Sequence, residues 1–274
     1  GYPLTVWNRT PDRAAPLLEA GARQSGSPAE LAAEGPAAIF LNVTDTPDVE
    51  AVLFGEGGIA AGAQPGLVVV DHSTIAPEAT ARFAERLDEC GASLVDDTGA
   101  RSGTLSVMVG GEATAVERVR PMLEVLGARI THLGPPGAGQ ACKAANQVAV
   151  AGTLLATCEA LALARRSGLD LQAVLEVVGE GAGGSWQWAN LGPKIAAADH
   201  EPGFMVDLIL KDLRLVLEHA REQALPLAGT ALAEQYFQSA RAHGDGRAGT
   251  QALARTLERL GGFRYADGDG DGDG

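Results

Sequence analysis

Two hydrophobic periods alternate along the first half of the chain. Short runs rich in Val, Ile and Leu, typical of strands buried on both faces, are separated by longer segments whose apolar residues recur with helical spacing. The apolar runs read PLTVW, AAIFLNV, GLVVVDHST, ASLVDD, LSVMVGG and ARITHLG. This order predicts an α/β fold with a parallel sheet covered on both faces, and a ligand site beyond the strand ends NRT, NVTD and DHSTI.

Several of the predicted helices carry start signals. Thr10, Ser27 and Thr46 each stand directly before a proline, so each is predicted to cap the N-terminus of a helix. Ser27 and Glu30 have the spacing of a capping box. Gly21 is predicted to end the helix that begins after Thr10.

The hydrophobic pattern changes after GPPGAGQ. From Ala141 to Arg166 runs one long helical pattern that is apolar on too many sides for a surface helix. We expect a second copy of the chain to bury most of its apolar residues, namely Val148, Val150, Leu154, Leu155, Leu161 and Leu163. Four or five further helical segments follow without a strand signal. The predicted domains are therefore an α/β domain over 1–134, a helical domain over 135–266 and a disordered acidic tail over 267–274.

Charge and composition narrow the function classes. The net charge of -14, without a basic stripe, argues against a nucleic-acid partner. The three unpaired cysteines favour a reducing, cytoplasmic compartment, and the apolar stretch before Glu159 is too short to predict a membrane span. The five histidines lack the spacing of metal ligands, and the DGDGDGDG tail lacks the closing Glu of a calcium loop, so no metal is expected.

Lys143 is the first candidate for chemistry. It is the only charged residue between Gln140 and Glu159, and Asn146 and Gln147 lie one turn further along the same helical face. An apolar setting makes a lysine readier to give up its proton, as a general acid must when a carbonyl is reduced to an alkoxide. The alternative is a lysine in the first turn that extends its amine to water.

Four segments together resemble the β-hydroxyacid dehydrogenases, a family that includes 3-hydroxyisobutyrate dehydrogenase, tartronate semialdehyde reductase and glyoxylate and succinic semialdehyde reductases. These segments are DHSTI, GTLSVMVGG, GPPGAGQACKAANQ and PGFMVDLILKDLRLVLE, and the resemblance extends over nearly the whole chain before the acidic tail. It implies a Rossmann-like domain followed by a helical domain like that of 6-phosphogluconate dehydrogenase. It also implies hydride transfer between a nicotinamide cofactor and a small β-hydroxyacid or its semialdehyde, in a homodimer or homotetramer.

The resemblance also implies roles for residues on the substrate side. Lys143 takes the place of the catalytic lysine, and Phe204 helps to line the substrate pocket. Asn146 and Gln147 occupy the turn that orients the substrate, and the sequence leaves open which of the two points inward.

On the cofactor side, Asn42 and Val43 match a strand end that contacts the cofactor. Thr74 matches a threonine near the nicotinamide and the substrate, with a helix cap as an additional or alternative role. Lys211 matches a lysine that closes on the bound cofactor, and its alternative is a surface salt bridge.

Asn8, Arg9 and Thr10 follow the strand at which a Rossmann domain selects its cofactor. An acidic residue at this place accepts the ribose hydroxyls of NAD, whereas an arginine with two neutral neighbours suits a 2′-phosphate. NADP(H) is therefore the expected cofactor, with NAD(H) possible, and Thr10 has the N-cap as its alternative role.

Two departures from the family pattern give a second hypothesis. A first strand with a glycine-rich turn would lie before residue 1, and the serine–glycine loop between Asp97 and the GTL segment is short. We expect an N-terminally truncated Rossmann domain that binds NADP(H) poorly. The alternative to an enzyme is thus an impaired fragment or degenerate homologue that acts only as a helical dimerisation scaffold.

Overall fold

The computed structural model describes residues 1–98 and 106–266. The chain divides into two compact units, Gly1–Lys143 and Ala144–Gly274. The shortened serine–glycine loop and the acidic tail fall in 99–105 and 267–274, so the expectations for both lie outside the described residues.

The first unit contains the six predicted strands and one that the pattern did not predict, β2, and they are arranged in two sheets rather than one. β1 and β2 pair in parallel, and the other strands form a five-stranded sheet in the order β3-β4-β5-β6-β7. The pairs in the larger sheet are parallel, as expected, except β5 with β6, which is antiparallel. The strands are β1 Thr5–Val6, β2 Arg23–Gln24, β3 Ile39–Leu41, β4 Val68–Asp71, β5 Ser93–Thr98, β6 Ser106–Gly111 and β7 Arg129–Gly134.

Helices cover both faces of the larger sheet, as the continuous apolar strands predict. Along β4, which is buried throughout, Val69 packs into the core with Leu53 and Phe83, and Val70 packs into the opposite core with Val116. The helices of this unit are α1 Ala15–Glu19, α2 Pro28–Ala33, α3 Thr46–Phe54, α4 Ile59–Gly62, α5 Pro77–Asp88 and α6 Ala113–Leu126.

Two of the predicted helix caps are wrong. Asp45, not Thr46, caps α3, because its Oδ1 accepts from the Thr46 amide at 2.7 Å and Thr46 becomes the first helical residue. After Thr10 comes a 3₁₀ turn, Pro11–Ala14, and within the described chain the Thr10 side chain makes no capping hydrogen bond. Gly21 does end the following α1 segment, with φ at +95°.

The capping box at α2 forms in a modified way. Ser27 Oγ accepts from the Glu30 amide at 3.1 Å, as the spacing predicts. The Glu30 carboxylate reaches one residue further than a standard box and accepts from the Gly26 amide at 3.0 Å.

The second unit is helical, as predicted. Its first helix, α7 Ala138–Arg166, begins three residues earlier than the sequence pattern indicates and starts within the first unit. The others are α8 Leu171–Gly179, α9 Trp186–Ala196, α10 Val206–Glu222, α11 Ala228–Ala242 and α12 Leu253–Gly261.

The core of the second unit corrects the expectation for the long helix. Leu154, Leu155 and Leu161 of α7 are buried in the chain's own core, not by a second copy, while Leu163 is 71% exposed. By length and composition alone, α7 is also apolar enough to cross a membrane, a property that it shares with buried helices of soluble proteins.

Candidate functional site

A hydrogen-bonded network joins the carboxyl ends of β3 and β4. Ser73 lies just beyond β4, and its Oγ accepts from the Val43 amide beyond β3 at 2.8 Å. The Ser73 amide donates to Asp71 Oδ1, also at 2.8 Å. The hydrogen bond between Ser73 and Val43 therefore joins the loop that carries Asn42 and Val43 to the loop that carries Thr74. This agrees with the expectation that the carboxyl ends of neighbouring parallel strands form one ligand site.

Gln140 connects this network to the start of α7. Its Nε2 donates to the Ser73 carbonyl at 2.6 Å, and its Oε1 accepts from the Ile75 amide at 3.2 Å. The side chain of Gln140 is buried, and it bonds the backbone on both sides of Thr74. This contact fixes the loop after β4 against α7.

Asp96, at the end region of β5, binds the N-terminus of α7. Its carboxylate accepts from the Gly137 amide at 2.7 Å and the Gln140 amide at 2.8 Å, which satisfies two amides that the helix leaves unpaired. The close approach requires glycine, because a Cβ on Gly139 would stand 2.7 Å from Asp96 Oδ2 and from the Met108 carbonyl. The GPPGAGQ segment is thus a docking element for the helix.

Two carboxyl groups of this network have altered acidity. Burial raises the pKa of Asp71 from 3.8 to about 6, although the hydrogen bonds from Ser73 oppose the rise. Burial also raises the pKa of Asp96, and the amides of Gly137 and Gln140 oppose it. Asp71 Oδ2 meets no hydrogen-bond donor among residues 1–98 and 106–266.

His72 and Asp97 form a second polar pair beside this network. His72 Nδ1 lies 2.9 Å from Asp97 Oδ1, and the imidazole stacks on the Phe40 ring with centroids 5.3 Å apart. Asp97 is buried, so the pair orients the imidazole at the end of β4. The sequence analysis did not single out this pair.

The residues expected to select the cofactor lie at the end of β1. The Arg9 side chain is 85% exposed, and Nη1 lies 3.4 Å from Asp48 Oδ1. Asn8 Oδ1 accepts weakly from the Thr10 amide at 3.4 Å. The guanidinium is therefore accessible to a ligand. Its exposed ion pair with Asp48 contributes little stability and so does not prevent Arg9 from binding another anion.

The other residues expected to bind the cofactor, Asn42, Val43 and Thr74, differ in which of their atoms a ligand can reach. Asn42 is exposed, whereas the Val43 amide is already bonded to Ser73 and leaves only the side chain and carbonyl of Val43 for a ligand. Thr74 is half-buried, and its alternative role as a cap is wrong, because Ala76 stands at the N-cap of α5.

In the second unit, a chain of four polar side chains joins α7 to α10. Asn146 Nδ2 donates to Gln147 Oε1 at 2.9 Å, and Gln147 Nε2 donates to Asp212 Oδ2 at 2.7 Å. Lys211 Nζ lies 2.8 Å from Asp212 Oδ1. Gln147 is buried and Asn146 is exposed, which answers the question that the sequence left open: Gln147 points into the protein.

Lys211 forms a salt bridge, but not the exposed one of the alternative hypothesis. Its side chain is only 15% exposed and its partner Asp212 is buried. Phe204 is half-buried and packs against the core of the second unit, with its carbonyl accepting from the Thr250 amide at 2.8 Å.

Sequence reasoning missed three residues that organise these groups: Asp96, Gln140 and Asp212. Each is a buried polar side chain that bonds at least one partner 41 to 67 positions away in the chain. One signal was available for Asp212, which follows Lys211 directly and is flanked by leucines at 208, 210, 213 and 215. Buried acidic residues are rare without a specific partner.

Comparisons with known proteins cover almost the whole chain. Residues 1–134 match the family model described as the NAD binding domain of 6-phosphogluconate dehydrogenase. Residues 137–257 match the model described as NAD-binding of NADP-dependent 3-hydroxyisobutyrate dehydrogenase.

Individual relatives agree with the family models. The chain is 39% identical to 2-hydroxy-3-oxopropionate reductase of Escherichia coli, over 83% of this chain and 80% of that protein. It is 25% identical to the solved 3-hydroxyisobutyrate dehydrogenase of Mycobacterium tuberculosis, with a TM-score of 0.87 over 94% of this chain and 91% of the other. A solved complex with NADP+ and 2-OPP gives 25% identity and a TM-score of 0.81 over 93% and 92% of the two chains.

These alignments cover 80% or more of each relative. The fold, the two family models and the identity to a characterised reductase agree with each other. The chain therefore belongs to the β-hydroxyacid dehydrogenases, a family of NAD(P)-dependent oxidoreductases that act on small hydroxyacids.

Proposed function

We propose that the protein is an NADP(H)-dependent oxidoreductase that interconverts a small β-hydroxyacid and its semialdehyde, with Lys143 as general acid and base. The observation that carries this proposal is the docking of α7 on the strand-end loops. Gln140 bonds the backbone on both sides of Thr74, and Lys143 lies three residues further along the same helical face. This spacing supports the proposal that Lys143 acts on the side of α7 that carries Gln140.

The donor chemistry at the end of β1 fits the phosphorylated cofactor. An accessible guanidinium beside the neutral side chains of Asn8 and Thr10 suits a dianionic phosphate, and a carboxylate that would accept ribose hydroxyls is absent from these three positions. We propose that Asn8, Arg9 and Thr10 hold the 2′-phosphate. Asn42, Val43 and Thr74, on loops joined through Ser73, would hold the nicotinamide half, with Lys211 as a further contact.

Bound NADP(H) supplies or accepts the hydride. Lys143 donates a proton to the substrate oxygen as the carbonyl becomes an alcohol, and takes it back in the reverse direction. Gln140 and Asp96 keep α7, and so Lys143, in place against the loop after β4. We assign substrate binding to Asn146, which Gln147 orients, and apolar lining of the substrate pocket to Phe204.

The test is the loss of turnover when the proton donor is removed. We expect Lys143→Ala and Lys143→Arg to lower kcat by about 10²- to 10⁴-fold, because neither side chain gives up a proton at neutral pH. The dissociation constant for NADPH, followed by its fluorescence, should stay within a few-fold of the starting value. Lys194→Ala is the control, since that lysine pairs with Asp199 on the surface.

Unchanged turnover in Lys143→Ala would rule out Lys143 as the proton donor. A chain that binds no NADPH and reduces no semialdehyde, yet forms oligomers, would instead favour the dimerisation scaffold. We also propose a cytoplasmic location, for which the three free cysteines remain the argument.

A further inference from the structure

Phe204, which we assign to the substrate pocket, lies on the loop 197–205 between α9 and α10. We infer that Gln251 is a positioning residue that holds this loop, and with it Phe204, in the shape that binds the substrate. The inference rests on the proposed function, and it adds a residue that acts through the loop rather than by touching the substrate.

The conformation of the loop 197–205 is not one that the chain favours by itself. Ala198 has φ at +51°, a left-handed conformation that costs energy in a residue with a Cβ. Further along the loop, a Cβ added to Gly203 would meet nothing within 4 Å, so packing restrains that part little. The shape of the loop therefore depends on hydrogen bonds with a neighbouring segment.

The segment 248–251 supplies these hydrogen bonds from its backbone. The Gly249 amide donates to the His200 carbonyl at 2.9 Å, and the Thr250 amide donates to the Phe204 carbonyl at 2.8 Å. The two bonds attach the middle and the end of the loop to one short segment of the second unit.

Gln251 completes the attachment with its side chain. The residue is 2% exposed, and its Nε2 donates to the Asp199 carbonyl at 3.1 Å and to the Glu201 carbonyl at 3.0 Å. An amide nitrogen carries two hydrogens, so both are used, and both acceptors belong to the loop. A buried amide is kept in place by such bonds, because an unsatisfied polar atom is costly there. Gln251 therefore draws together the two carbonyls that flank His200.

Gly249 makes room for this amide. Its φ is −62°, so alanine would fit the backbone, but a Cβ would stand 2.6 Å from Gln251 Nε2 and 2.7 Å from Gln251 Cδ. The Gln251 side chain could give way only by breaking its bonds to the loop. Gly249→Ala should therefore displace the Gln251 amide although the donor itself is still present.

The consequence is a separation of substrate binding from chemistry. Phe204 is half-buried, so a shift of its loop changes the apolar surface that it offers to the substrate. The proposed proton donor, Lys143, and the residues assigned to the 2′-phosphate lie on other elements. A loosened loop should therefore raise KM for the substrate and leave kcat and the affinity for NADPH nearly unchanged.

The first experiment replaces Gln251 by two side chains of similar size that cannot donate to both carbonyls. The substrate is whichever of succinic, tartronate and methylmalonate semialdehyde the parent reduces fastest with NADPH. Gln251→Met should raise KM for it about two- to tenfold, with kcat and the Kd for NADPH within about twofold of the parent values. Gln235→Met, at an exposed glutamine of α11, is the control and should change none of the three.

The variant Gln251→Glu distinguishes the lost donor from a general disturbance of the fold. Its carboxyl group can donate one hydrogen bond when protonated and none when ionised, and burial beside carbonyl oxygens raises the pKa of a glutamate. The ratio of its KM to that of the parent should therefore fall as the pH is lowered from about 8 to about 6. For Gln251→Met and for the control Gln235→Glu, the ratio should stay constant.

The second experiment needs no turnover. Hydrogen–deuterium exchange of the full chain should be faster in peptides from 197–205 for both Gln251→Met and Gly249→Ala, with peptides of α6 as internal reference. Gly249→Ala should also raise KM as Gln251→Met does. In a Gln251→Ala background, Gly249→Ala should add little, because the side chain that it displaces is already gone.

The outcomes separate this inference from the proposed function. Faster exchange of the loop with an unchanged KM, or a Gln251→Glu ratio that does not vary with pH, would overturn the role of Gln251 and leave the proposed function intact. A parent protein that reduces none of the three semialdehydes would overturn both, because the loop would then have no substrate to position.

Discussion

At the scale of single residues, the buried carboxyl group of Asp71 shows how a strand-end network affects stability. Its pKa of about 6 in the folded protein lies above the ordinary 3.8, so folding favours the protonated form. The contribution of protonated Asp71 to the free energy of unfolding is therefore complete below about pH 4 and is lost as the pH rises through 6. The rise in the pKa from 3.8 to about 6 corresponds to about 3 kcal/mol, by which the ionised Asp71 lowers the free energy of unfolding at neutral pH compared with acid pH.

Asp71→Asn should remove this pH dependence. The asparagine Oδ1 can still accept from the Ser73 amide, and no charge has to be buried. We expect the free energy of unfolding of the variant, relative to the parent, to rise by up to about 3 kcal/mol between pH 4 and pH 7. Urea unfolding at a series of pH values measures it, with Asp88→Asn, exposed on α5, as control. If the difference in the free energy of unfolding between Asp71→Asn and the parent stayed constant from pH 4 to pH 7, the raised pKa of Asp71 would be contradicted.

Arg9 gives a second prediction at this scale. A charge-assisted bond to a 2′-phosphate contributes about 1.5–3 kcal/mol, so the ratio of KM values for NADH and NADPH should be roughly ten to a hundred or more. Arg9→Asp should reverse the preference, and Arg13→Asp, also an exposed arginine, should not. Equal KM values for the two cofactors before mutation would refute the role of Arg9.

Sequence reasoning reached some of these residues and not others for a physical reason. Lys143 and Asn146 are conspicuous because their neighbours along the helix are apolar. Asp96, Gln140 and Asp212 act through partners that only folding brings close, so no local pattern reveals them.

At the scale of elements, the start of α7 depends on close packing against β5 and β6. Gly139→Ala would force a methyl group to within 2.7 Å of Asp96 Oδ2 and the Met108 carbonyl, and a strand backbone cannot move aside cheaply. We expect a loss of about 1–3 kcal/mol in the free energy of unfolding, measured by chemical denaturation.

The matched control is Gly229→Ala on α11, where a Cβ would meet nothing within 4 Å. That change should stabilise the protein by up to about 1 kcal/mol, because alanine is the better helix former. Equal effects of the two substitutions would show that the space around Gly139 does not matter.

The elements themselves were largely predictable, and their exact ends were not. Apolar periodicity located the strands and α7, because burial on both faces leaves a continuous apolar run. The cap of α3 was misplaced by one residue because both Asp45 and Thr46 are good capping residues, and only the backbone geometry decides between them. The antiparallel pairing of β5 with β6 was likewise invisible to periodicity, which is the same for both directions.

At the scale of the whole molecule, the exposed face of α7 carries the remaining prediction, self-association. Leu154, Leu155 and Leu161 are buried in the chain's own core and are not available for a contact between copies. A second face of the helix stays exposed, and apart from Glu159 it carries small or apolar residues at heptad-like spacing: Ala145, Ala149, Gly152, Ala156 and Leu163. Small side chains let two helices approach closely, and an exposed Leu163 gains from being covered.

We therefore predict an oligomer, at least a dimer, in which this face of α7 meets its equivalent in a second copy. Sedimentation at micromolar concentration should give at least twice the monomer mass, and the melting temperature should rise with protein concentration, since association stabilises the folded state. Ala156→Arg places a charge in the middle of the contact and should yield monomers. Ala242→Arg, at the exposed end of α11, should leave the mass unchanged. A monomeric parent protein, or an Ala156→Arg variant that still associates, would show that the exposed small residues of α7 serve no contact between copies.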